Sequence, residues 1–235
     1  IFIGDQANMP YGDRSREEII SLTRDSVNFL LSKDVKIIIF GCNTATAVAM
    51  STIQKEIPLQ IIGVVQSGAL AAARTTETKN VAVIGTNATV DSHSYLKEIQ
   101  YRDPEIKVSE FAQPKLAPLA EEDPDENIKN AVVSESLTPL KNADYDTLVL
   151  GCTHYPLLRD EIVAVVGQDK KIVDPADQVA QYTYNVLRRD DLFAESTAPV
   201  KHDYYTTGEA KKFTEITRQW MNDDTIVGHH VDAED

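Results

Sequence analysis

The two cysteines of this 235-residue chain occupy matching settings. Cys42 closes the apolar run Ile37-Ile38-Ile39-Phe40-Gly41 and is followed by Asn43-Thr44-Ala45. Cys152 closes Thr147-Leu148-Val149-Leu150-Gly151 and is followed by Thr153-His154-Tyr155-Pro156. Each reads as a buried strand, a glycine, a thiol, and then polar residues that open a helix. In a parallel α/β sheet, ligands bind at the carboxyl ends of the strands. Both thiols are therefore expected at a site. A thiol at a helix N-terminus feels the helix dipole, which favours thiolate. Two such thiols, one on each side of a small substrate, could take a proton from one face of a carbon and return one to the other.

Other uses of the pair fit less well. A chain of this length has core enough without a disulfide staple. Either cysteine alone would read as an inert buried thiol, and the repetition of the setting argues against that. The chain has no C-x-x-C, and His154 is the one histidine near either thiol, so no metal is expected. A thiol redox pair would need to come within disulfide reach, which sequence separation does not settle.

The elements that must position these residues alternate strand and helix throughout, which predicts a parallel α/β architecture. Strands are expected at 1–4, 35–41, 60–64, 79–85, 106–111, 147–151, 171–173, 202–207 and 226–229. Ser15-Arg16-Glu17-Glu18 is a capping box that opens a helix to about Ser32. Further helices are expected at 44–56, around 71–73, and at 92–102, 176–189 and 209–221. Asp123-Pro124 reads as cap and first helical residue of another, running to about Lys141. The strand-Gly-Cys-helix unit recurs once. That predicts two similar α/β halves with a cleft between them, one thiol from each. The first half takes 1–66 plus 174–235, and the second 67–173.

The net charge is −14. That disfavours nucleic acid, whose phosphates need a basic surface, and an anionic membrane face. No stretch is long and apolar enough to span a membrane. Nothing marks secretion, so a cytoplasmic location with reduced thiols is expected. The chain starts inside an apolar strand, Ile1-Phe2-Ile3-Gly4-Asp5, with no initiator Met, and a segment ahead of Ile1 is expected.

Several motifs, spread over most of the chain, carry a resemblance. They are Gly4-Asp5 with Pro10-Tyr11-Gly12-Asp13-Arg14-Ser15; Cys42-Asn43-Thr44-Ala45; Gly85-Thr86 with Thr89; Pro118-Leu119-Ala120-Glu121; and Gly151-Cys152-Thr153-His154-Tyr155-Pro156. In order and spacing the chain resembles the glutamate racemases of the cofactor-independent aspartate/glutamate racemase superfamily. The resemblance implies two pseudo-symmetric domains, no pyridoxal phosphate and no metal, and a homodimer. It implies a cytoplasmic isomerase that supplies D-glutamate for peptidoglycan. The family opens on a strand leading into Asp-Ser-Gly, and this chain begins after that point.

The chemistry implied is demanding, because the Cα–H bond beside an ionised carboxylate is barely acidic. A positioned acid/base pair is required. By resemblance, Cys42 and Cys152 are that pair, with Asp5 and His154 as their respective polar partners. Glu121 matches a position proposed to assist proton transfer. Helix openings at Asn43-Thr44 and Thr153-His154 offer N–H groups to substrate carboxylates. Tyr11-Gly12 permits close backbone approach, and Thr86 and Thr89 offer hydroxyls or helix caps. His154 after Cys152-Thr153 favours glutamate over aspartate, since the aspartate enzymes carry Glu there. An amino-acid-binding relative without turnover is the other reading, supported by the unmatched Asp-Ser-Gly.

Overall fold

The computed structural model describes residues 1–195, 197 and 199–232. Its strands are β1 (Phe2–Gly4), β2 (Ile38–Phe40), β3 (Ile61–Gly63), β4 (Asn80–Gly85), β5 (Lys107–Ala112), β6 (Thr147–Gly151), β7 (Lys171–Val173), β8 (Tyr204–Thr206) and β9 (Gly228–His230). Among the described residues they form three sheets, ordered β1-β8-β9, β2-β3 and β5-β4-β6-β7, and every pairing is parallel. The expected mixed α/β, parallel-sheet class is what is found.

The four-stranded sheet is covered on both faces, which is why its strands read as continuous apolar runs. Side chains alternate across it. Ala82, Ile84, Leu148 and Leu150 face Leu116, Leu119, Val133 and Ile162, from the helices Leu116–Glu122, Glu126–Ser136 and Arg159–Val166. Val81, Val83 and Val149 face Val65, Ala69, Ala72, Tyr95 and Ile99, from the helices Val64–Thr75 and Ser94–Arg102. Each such aliphatic side chain contributes about 1.5–3 kcal/mol on full burial. A third cluster packs β2 and β3 against the helix Arg16–Leu31, through Ile19, Val27, Ile38, Phe40 and Ile61. That helix opens on the predicted capping box: Ser15 accepts from the Glu18 backbone and Glu18 reaches back to Ser15.

Register brings the site residues together. Gly85 of β4 pairs with Gly151 of β6, so Thr86 and Cys152 leave adjacent strands at the same level. Gly4 of β1 pairs with Thr206 of β8, so Asp5 and Thr207 do likewise.

Four expectations are corrected. The helix expected at 123–141 is capped two residues later, by Asp125, whose carboxylate accepts from Asn127 and Ile128. Asp123 instead ends the preceding helix in a left-handed conformation at φ 43°. The helix expected at 44–56 is two short ones, Asn43–Val48 and Met50–Ile53. The one expected at 92–102 begins earlier as Asn87–Asp91 and restarts at Ser94, after His93 at φ 52°. The opening expected at Thr153-His154 is a single 3-10 turn, Tyr155–Leu158. Pro156 lies in that turn, where it has no N–H to give.

Candidate active site

Cys42 is the N-cap of Asn43–Val48, and its sulfur accepts the Ala45 N–H at 3.5 Å. The sequence predicts a thiol favoured as thiolate by its helix, and the structure reverses the sign. Burial pushes the Cys42 thiol above the ordinary cysteine range, against hydrogen bonds from the Ala45 and Thr44 backbone, and the charge of Cys152 adds to the rise. The helix is short and the sulfur is largely surrounded by protein, so desolvation wins over the dipole. Both thiols are free, Cys42 half-buried and Cys152 buried.

Cys152 has an imidazole partner. Its sulfur lies 3.8 Å from His154 Nδ1, and His154 Nε2 lies 2.8 Å from Glu121 Oε1. Desolvation would lower the His154 pKa, but the hydrogen bonds to Cys152 and Glu121 and their charges outweigh it and raise it to about 9. The imidazole is thus held protonated near neutral pH, as a cation between a thiol and a carboxylate. The Trp220 ring meets it edge-on at 6.1 Å. Trp220 belongs to the helix Ala210–Met221, remote in sequence from His154.

Asp5 is held by three side chains. Tyr11 donates to its Oδ2 at 2.5 Å, and Thr207 and Asn8 donate to Oδ1 at 2.6 and 2.9 Å. Tyr11 and Cys42 both pack against the β2–β3 cluster. Its phenol is pushed far above the ordinary tyrosine range by burial, by the hydrogen bond to Asp5, and by the charges of Asp5 and Cys42. Tyr11 is thus kept protonated, as a donor to Asp5.

The hydroxyls of Thr44, Thr86 and Thr89 form a closed triangle. Thr44 lies 2.9 Å from Thr86 and 3.3 Å from Thr89, and Thr86 donates to Thr89 at 3.1 Å. Thr86 also caps the helix Asn87–Asp91 by accepting the Thr89 N–H, so cap and site use one oxygen. Gly12 packs against Thr86 so closely that an added Cβ would lie 2.7 Å from Thr86 Cβ, while its carbonyl accepts the Ala88 N–H at 3.0 Å. Asn43 is buried and accepts a 2.6 Å hydrogen bond from Tyr95. Thr153 is exposed at the mouth of the 3-10 turn.

The sequence-predicted residues therefore meet as two thiol-centred groups. Sequence reasoning missed Thr207, Asn8, Tyr95 and Trp220. For Thr207 the signal was present, since it ends the strand expected at 202–207 and parallel pairing with β1 would set it beside Asp5. Nothing in the local sequence around Tyr95 or Trp220 marks either. Among the described residues, no three of His, Cys, Asp and Glu gather as metal ligands, and no helix is long and apolar enough to cross a membrane.

Comparison with known proteins gives consistent matches. The family profile described as Asp/Glu/Hydantoin racemase matches residues 1–183. Over all 235 residues the chain is 98% identical to a glutamate racemase of Lactobacillus johnsonii, covering 100% of this chain and 88% of that protein. A crystal structure of a Bacillus anthracis glutamate racemase superposes with a TM-score of 0.94 at 36% identity, covering 99% of this chain and 87% of the other. A Francisella tularensis glutamate racemase solved in complex with D-glutamate superposes at 0.90 with 28% identity, covering 99% and 87%.

Proposed function

The chain belongs to the Asp/Glu/hydantoin racemase family, and from that premise we propose that it interconverts L- and D-glutamate with Cys42 and Cys152 as the acid/base pair. The observation that carries this reading is that two free thiols each follow the end of a strand in a different parallel sheet, one of them beside the His154–Glu121 pair.

In one turnover, one cysteine enters as thiolate and takes the α-proton. The other enters as thiol and delivers its proton to the opposite face of the same carbon. The cysteines end with their protonation states exchanged, so the reverse reaction starts from the product state. Burial raises the Cys42 pKa, which makes its thiolate scarce and also more basic than one in water, as a weakly acidic C–H requires. The ammonium group of a bound amino acid supplies the nearby positive charge that lets it form. On the Cys152 side, the His154 cation supplies that charge, and Glu121 holds the imidazole with Nδ1 toward sulfur. Asp5 acts on the first thiol through Tyr11. The Thr44, Thr86 and Thr89 hydroxyls, Asn43, the Tyr11-Gly12 backbone and Thr153 bind the substrate's polar ends.

Other features of the reading are proposals of the same kind. The chain divides into halves at 1–66 plus 174–235 and 67–173, supported by the segregation of β4–β7 into one sheet. The protein works as a homodimer, the commonest symmetric assembly, in the cytoplasm, where both thiols stay reduced. Its D-glutamate serves cell-wall synthesis, as the family resemblance implies.

The test is incubation with L-glutamate in D2O without added cofactor. D-glutamate should accumulate carrying deuterium at Cα. Absence of D-glutamate overturns the reading, and faster turnover of aspartate would move the assignment to the aspartate racemases.

A further inference from the structure

Tyr95 is fully buried, yet it touches both halves of the site. Its hydroxyl donates to Asn43 Oδ1 at 2.6 Å, next in sequence to Cys42. Its ring lies against Gly151, the residue before Cys152, so closely that an added Cβ there would sit 3.2 Å from Tyr95 Cε2. The same hydroxyl would be 3.0 Å from a Cβ on Gly68, which would itself be 2.9 Å from Pro175 Cγ. Gly68 and Pro175 lie at the two places where the chain crosses between the proposed halves. One side chain thus touches the flank of each thiol and lies beside Gly68 at the first crossing, where Gly68 in turn meets Pro175 of the second.

We propose that Tyr95 is a positioning residue for the racemase reading above, one that fixes the Asn43 amide and ties its orientation to the strand end that carries Cys152. With Oδ1 occupied by the phenol, Asn43 Nδ2 has no hydrogen-bond partner among the described residues. It is the donor left for an anionic ligand. A carboxylate ligand needs that donor and is repelled by Oδ1, so the direction in which the amide is locked decides between attraction and repulsion. Burial, with the nearby charges of Cys152 and Asp174, pushes the Tyr95 phenol far above the ordinary range, so it remains a donor at any working pH. A phenylalanine would fill the same space and leave the amide free to turn.

The experiment is a cycle of Tyr95→Phe, Asn43→Ala and the double variant, with kcat and KM measured for both glutamate enantiomers and thermal melting followed by circular dichroism. In Tyr95→Phe, KM should rise about tenfold for both enantiomers with a smaller change in kcat, and the melting temperature should fall by a few degrees. Asn43→Ala should raise KM similarly, and the double variant should be no worse than Asn43→Ala alone, because both changes remove one interaction. A purely structural tyrosine would lower the melting temperature and the active fraction, leave KM unchanged, and give effects that multiply. Either an unchanged KM or multiplying effects overturns the positioning role alone. Wild-type protein that fails to turn over glutamate overturns the racemase reading, and the positioning role with it.

Discussion

His154 and Glu121 share a 2.8 Å hydrogen bond across an interval of 33 residues, between the 3-10 turn after β6 and the helix Leu116–Glu122. The bond fixes which imidazole nitrogen faces Cys152, and it sets the charge beside that thiol.

That pairing has a stability signature. The His154 pKa is raised from 6.5 to about 9 in the folded protein. A raised pKa means the folded state holds the proton more tightly. Its contribution is complete below 6.5, the unfolded value, and is lost as pH rises through about 9. At about 1.36 kcal/mol per pH unit, this is at most about 3 kcal/mol. Melting curves from pH 6 to 10 should decline across that window, and the decline should be missing in His154→Asn. An identical decline in both proteins would exclude His154 as its source.

Glu121→Gln removes the carboxylate charge and keeps the side-chain shape. The His154 cation then loses one of its two stabilising partners, so its pKa should fall. The alkaline limb of kcat/KM should move to lower pH, with kcat reduced about tenfold, the lower part of the range for acid–base assistance. A limb that stays in place would show that Glu121 does not act through His154.

Serine substitution separates the two thiols. Serine holds its proton too tightly to serve as the base, so Cys42→Ser and Cys152→Ser should each cut racemisation about 10²–10⁴-fold in both directions. Elimination from a β-substituted glutamate needs only the abstracting residue. By the family resemblance, it should survive for the L-analogue in Cys42→Ser and for the D-analogue in Cys152→Ser. Retention of the same enantiomer by both variants would reverse the facial assignment. Near-normal racemisation by either would end the two-thiol mechanism.

Gly12→Ala tests the approach of the Tyr11-Gly12 loop to Thr86. The new methyl would lie 2.7 Å from Thr86 Cβ, a contact that must be relieved by moving the loop or the helix that Thr86 caps. Overpacking of this kind costs about 1–3 kcal/mol. The variant should melt several degrees lower and bind substrate more weakly. Unchanged melting and unchanged KM would mean the loop moves freely and takes no part in the site.

The sequence by itself determined the parallel α/β class, because apolar runs ending in glycine and followed by polar helix openings are local patterns with a local physical cause. It also marked both thiols as site candidates, since their two matching contexts lie within ten residues of each. The Ser15 capping box was legible for the same reason. The helix breaks at Ala49 and His93 were not, because each falls among residues with no glycine or proline to signal it. The sign of the Cys42 shift was decided only by the tertiary structure, since burial depends on what the rest of the chain puts around the sulfur. So were the joining of Asp5 to Thr207, which needs β1 paired with β8 in the observed register, and the placing of Tyr95 between the two thiol flanks. Local sequence sets each residue's chemistry, and long-range register and desolvation set which residues meet and in what charge state.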